Sequence, residues 1–77
     1  MQVMVRAVGL VKNYLAGKTS SLMVEINPTT TVHDLLLQLD VPENEIMRVA
    51  VNNQIVPFEQ RLLDGDEVRL IPPIAGG

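Results

Sequence analysis

The chain has 77 residues, no cysteine, a single histidine and a net charge of −3, and 47% of its residues are apolar although it holds only one Phe and one Tyr. These values exclude disulfides, thiolate metal centres and multi-histidine sites, and they call for an aliphatic core in one small domain burying roughly 60–65% of its unfolded surface. No apolar run reaches the roughly 18 residues of a membrane span and no signal-like N-terminus is present, so the expectation is a cytoplasmic protein that is monomeric when free.

Residues 2–8, QVMVRAV, set Val3, Val5 and Ala7 against Gln2, Met4 and Arg6, a period-two pattern that predicts a strand. In 9–18, GLVKNYLAGK, Leu10 and Tyr14, with Val11 and Leu15 beside them, stand at helical spacing ahead of Gly17, which predicts a short helix or helical turn stopped by that glycine. A second strand is expected at 21–26, ended by Asn27-Pro28. Residues 31–40, TVHDLLLQLD, predict the main helix. Thr31 and Asp34 form a capping-box pattern with Asp in place of Glu or Gln, and Val32, Leu35, Leu36 and Leu39 share one face. Val41-Pro42 closes that helix. Strands follow at 46–52, 54–57 and 67–71, with Asn52-Asn53 and Asp64-Gly65-Asp66 as turns. The order ββαβββ predicts an α+β domain over 1–71, a mixed sheet of about five strands with one main helix across it and a short helix after the first strand, followed by a flexible tail at 72–77 that ends in Gly-Gly.

Charge is uneven along the chain. Residues 1–33 carry three cations against Glu25, whereas residues 34–77 carry three arginines against eight acids. That balance steers the C-terminal half toward basic partners and away from nucleic acid. Two weaker candidates have bland readings. His33 lies in the first turn of the main helix with no nucleophile beside it. Asp64 and Asp66 resemble half a cation loop, but a turn explains them better, and no metal site is expected.

The chemistry concentrates at the end, RLIPPIAGG. Ile71 precedes a proline and is therefore extended. Pro72 and Pro73 favour a polyproline rod that cannot extend the sheet, Ile74 and Ala75 offer apolar grip, and Gly76-Gly77 lacks any Cβ and can enter a narrow channel. Extended, the segment reaches roughly 20 Å beyond Ile71, far enough to carry a carboxylate into another protein. Phe58 in the loop after the fourth strand and Arg69 on the last strand are the further candidates for partner binding, while Leu10, Val11 and Leu15 pose the same choice between core and docking face.

The segment DGDEVRLIPPIAGG (64–77) resembles the C-terminus of the molybdopterin synthase small subunit, MoaD, of the thiamine sulfur carrier ThiS and of the archaeal ubiquitin-like modifiers. AVGLVKNYLAGK (7–18) and Pro72-Pro73 look like the MoaD branch, and VNNQIVPFEQ (51–60) looks like ThiS. The resemblance implies a β-grasp, ubiquitin-like fold and a carrier that is not itself an enzyme. It implies that an E1-like adenylating enzyme uses ATP to activate the Gly77 carboxylate and that a sulfur donor converts it to a thiocarboxylate. It further implies an acceptor synthase, either a MoaE-like large subunit acting on a pterin precursor or a thiazole synthase. The carrier would bind no cofactor of its own. A protein modifier joined to lysines through Gly77 and a β-grasp interaction domain with an inert tail remain the alternatives.

Overall fold

The computed structural model of the protein describes residues 1–73. Five strands form one sheet: β1 (Gln2–Ala7), β2 (Ser21–Glu25), β3 (Arg48–Val51), β4 (Gln54–Val56) and β5 (Glu67–Ile71), in the spatial order β2-β1-β5-β3-β4. The first and last strands are parallel neighbours at the centre, with Val5 opposite Val68, and the remaining pairs are antiparallel. A parallel pair needs a crossover between its members, and α1 (Val32–Leu39), the single α-helix among the described residues, lies within the segment that joins them. This is the β-grasp arrangement that the resemblance implied.

Alternation decides which sheet face meets the helix. Val3, Val5, Val49, Val68 and Leu70 are fully buried and face Val32, Leu35 and Leu36 of α1, with Leu39 only partly covered. The capping box forms as its residues predict. The Thr31 hydroxyl accepts from the Asp34 N–H at 3.1 Å, and the Asp34 carboxylate accepts from the Thr31 N–H at 3.1 Å. The helix closes one residue earlier than the Val41-Pro42 signal alone suggests. Asp40 takes a left-handed φ of 61°, and the Val41 and Asp40 N–H groups donate back to Leu36 and Leu37, a Schellman closure.

Three short 3-10 segments complete the described residues. The short helix or helical turn expected after β1 forms as 3-10 helices at Gly9–Tyr14 and Ala16–Lys18, although Gly17 does not stop it. The first ends at Tyr14, where Leu15 turns extended, and Gly17 sits inside the second at a φ of 75°. The buried members are Val11 and Leu15; Leu10 is 79% exposed and Tyr14 is half-exposed. A third 3-10 turn, Glu43–Glu45, lies where no element was predicted.

Both predicted turns are built from side chains as well as backbone. Asn52 and Asn53 take φ values of 52° and 70°, the left-handed pair that a tight hairpin requires. The Asp64-Gly65-Asp66 turn holds the start of β1, because the Asp64 carboxylate accepts from the Gln2 N–H at 2.8 Å and the Gly65 N–H donates to the Gln2 carbonyl at 2.7 Å. Asp66 is buried, and its carboxylate accepts from the Asn52 side-chain amide at 2.9 Å and from the Leu63 N–H at 2.8 Å. The two aspartates therefore serve the fold. Among the described residues no cluster of three or more His, Cys, Asp or Glu side chains could hold a metal, and no helix is long and apolar enough to cross a membrane.

Candidate functional site

The last strand decides where the tail starts. Because β5 is flanked by β1 and β3, the chain leaves from the middle of the sheet and not from an edge. Ile71 closes the strand opposite Arg48, and its carbonyl accepts from the Met47 N–H at 2.9 Å. Pro72 then ends the ladder because it has no N–H to offer. On the β1 side, Gly9 stands at a φ of 59°, and a Cβ built there would lie 3.8 Å from the Pro72 ring. The tail root thus lies between the Gly9 turn on one side and the Met47–Arg48 backbone on the other. Pro73 is exposed and is the last described residue. The remaining candidates Ile74, Ala75, Gly76 and Gly77, and the expected tail conformation there, lie outside the described residues.

The sheet face away from the helix collects cations. Register places Arg6, Arg69, Ala50 and Ile55 in one row across four strands, with Arg48 beside Ile71 in the next. Three of the chain's four arginines therefore share this face. Arg6 pairs with Glu67 at 2.9 Å, while among the described residues Arg48 and Arg69 form no ion pair. Met4, Met23 and Ile55 add apolar surface to the same face, the last two on the edge strands β2 and β4. The acidic C-terminal half of the sequence is thus not one acidic half of the surface, because β1 and β5 are adjacent and interleave the two halves. Arg69 was legible as a candidate from its closeness to the tail. Arg6 and Arg48 were not, since only strand order brings them there.

Phe58 is not brought to the tail root. It follows β4, the edge strand, which β3 separates from β5. Its carbonyl accepts from the His33 N–H at 2.9 Å, and its half-buried ring packs partly against the core. This loop caps the helix, since the Gln60 carbonyl likewise accepts from the Val32 N–H at 2.9 Å. His33 lies 3.3 Å from the Glu43 carboxylate with both side chains half-exposed, a surface contact joining α1 to the third 3-10 turn.

A carboxyl with an altered titration lies on the edge strand β2, away from the tail root. Glu25 is held below the usual carboxylate range, chiefly by the hydrogen bond from the Met1 amino group at 3.0 Å, then by the Gln2 amide and the charge of that amino group.

The ThiS family profile matches residues 12–77 of the chain. Its fold matches a protein described as molybdopterin converting factor subunit 1 of Pyrococcus furiosus, at 25% identity and a TM-score of 0.74, over 96% of this chain and 99% of that one. It also matches a chain in the complex of subunits 1 and 2 of the molybdopterin-converting factor from Helicobacter pylori, at 25% identity and a TM-score of 0.66, over the full length of both. The small archaeal modifier protein 1 of Haloferax volcanii shares the fold at 20% identity and a TM-score of 0.76, over 95% of this chain and 98% of that one. No curated protein matches in sequence.

Proposed function

Because the chain belongs to the ThiS family of ubiquitin-like carriers, we propose that it carries sulfur on the carboxyl group of Gly77 for a partner enzyme that builds a sulfur-containing cofactor. The position of the root supports this reading. Ile71 ends the central strand opposite Arg48, and Pro72 lies beside the Gly9 turn, so the tail starts from the middle of the sheet and not from an edge.

The chemistry follows from what the chain lacks. A carboxylate is a poor electrophile, and the sequence has no phosphate-binding loop to activate it. An E1-like enzyme must therefore join the Gly77 carboxylate to the α-phosphorus of ATP, with pyrophosphate leaving. Hydrosulfide, or a donor equivalent to it, then adds to the acyl carbon and AMP leaves with the C–O electron pair, giving the thiocarboxylate. With no cysteine in the chain, the terminus is the place where sulfur can be held. The folded surface supplies docking affinity, so the reactive end need bind only weakly while it is positioned.

Pterin sulfuration is the favoured pathway. The Helicobacter pylori structure is a complex of subunits 1 and 2, and a synthase large subunit of that kind is the acceptor proposed here. Formation of a thiazole is the second reading, supported by the family match. Intact mass after incubation with an adenylating enzyme, ATP and sulfide tests the proposal. A gain equal to replacing one oxygen by sulfur, mapped to Gly77, supports it. An unchanged mass with several competent activating enzymes refutes it.

A further inference from the structure

Beside the tail root lies a groove of about 590 Å³ that includes Gly9, Leu10 and Tyr14 of the first 3-10 helix, Glu45 of the third, and Pro72 and Pro73. Its apolar lining is unusual in its exposure. Leu10 is 79% exposed and Tyr14 39%, although Val11 and Leu15 of the same segment are buried in the core. The 3-10 geometry thus sorts neighbouring side chains into anchors and a display. Among the described residues Glu45 forms no ion pair, whereas Glu43 of the same turn meets His33.

We propose that this groove receives an apolar side chain of the adenylating enzyme that takes up the tail, and that a Lys or Arg next to that side chain pairs with Glu45. The inference rests on the carrier reading above. Two observations select this occupant. The groove is continuous with the tail, since Pro72 and Pro73 line it, so a protein that reaches Gly77 along the proline rod passes over Leu10. The charge on its lining is acidic, which favours a cation at the edge of the incoming surface and disfavours an acidic one. An apolar anchor ringed by a polar rim is the usual composition of an energetically dominant contact. The arginine-rich sheet face carries the opposite sign and is left for a different contact.

The test uses the full-length chain as substrate of the adenylating enzyme, with pyrophosphate release followed against carrier concentration for wild type, Leu10→Ser and Glu45→Lys. Both positions are exposed, so the fold should be kept, which thermal unfolding checks. Each variant is expected to raise KM roughly tenfold with little change in kcat, the pattern of lost docking affinity. Glu45→Gln should raise it less than Glu45→Lys, because it removes an attraction without adding a repulsion. Wild-type KM in both Leu10→Ser and Glu45→Lys, with activation intact, overturns the groove and leaves the carrier reading standing. A wild-type chain that is never adenylated overturns both. Nuclear Overhauser contacts between Ile74 and Leu10 in the free chain would assign the groove to the chain's own tail. Concentration-dependent dimerisation abolished by Leu10→Ser would assign it to a second copy. Either result also overturns the proposal.

Discussion

Replacing Asp66 by alanine is expected to be the most damaging polar substitution in the domain. Its buried carboxylate accepts from Leu63 N–H at 2.8 Å and from the Asn52 amide at 2.9 Å. The Asn52 side-chain oxygen in turn accepts from the Glu67 N–H at 2.9 Å. Asp66 therefore ties together the two turns that flank β5. Hydrogen bonds to charged groups contribute roughly 1.5–3 kcal/mol each, and water can replace part of the loss at a partly buried site, so Asp66→Ala should cost about 3 kcal/mol. At roughly 0.05–0.15 kcal/mol per residue, a domain of this size has about 4–12 kcal/mol in total. The expected fall in Tm is about 12–24 °C, at about 4–8 °C per kcal/mol. Urea unfolding should show a lower midpoint with unchanged slope. Asp66→Asn should do nearly as much harm despite its equal size. If its amide nitrogen faces Leu63, two N–H groups oppose each other. If it faces Asn52, that amide must flip and abandon Glu67. A loss under about 1 kcal/mol in both variants would refute this account.

Three further outcomes are expected. Gly9→Ala strains a left-handed residue at a φ of 59° without meeting a close neighbour, so it should cost about 1 kcal/mol in urea unfolding, and a loss of 3 kcal/mol or more would mean that the Pro72 contact is far tighter than described. Removal of residues 74–77 should leave the midpoint of unfolding within about 0.5 kcal/mol of wild type while abolishing the mass gain, and sulfur accepted by the shortened chain would refute the role of Gly77. Glu25 should titrate below an ordinary glutamate by NMR. Because its folded pKa is depressed, the stabilising contact is present above the unfolded value and is lost as pH falls through the lowered one. An extension ahead of Met1 should weaken the depression by removing its first cause, and a normal or raised value in the unextended chain would contradict the contact.

Much of the local structure was legible because it depends on neighbours in sequence. Val3, Val5 and Ala7 alternate, Thr31 and Asp34 cap, Asn52-Asn53 turn, and Pro72 stops a strand. Each is a short-range effect with a single cheapest outcome. The region at 9–18 was less legible, since Leu10 with Tyr14 and Val11 with Leu15 have the same spacing. Only contact with the core settles that the second pair is buried. The Glu43–Glu45 turn escaped because it carries neither apolar period nor glycine. At the candidate site the prolines and glycines were visible as a string. The closeness of Gly9 to Pro72, Arg48 opposite Ile71 and Arg6 beside Arg69 depend on which strands become neighbours, and long-range pairing leaves little trace in any one window of sequence.

The central position of β5 has a consequence for how the protein is made. During synthesis the first strand is available early, but the strand that joins it to β3 emerges after the other four. Until then β1–β2 and β3–β4 are two hairpins with nothing between them, and the sheet closes only when residues 67–71 are inserted. Such non-local closure is slow for a chain of this size. A chain broken off before Glu67 therefore lacks the strand at the centre of its sheet, leaves both hairpins with an unpaired inner edge, and should be left to proteolysis.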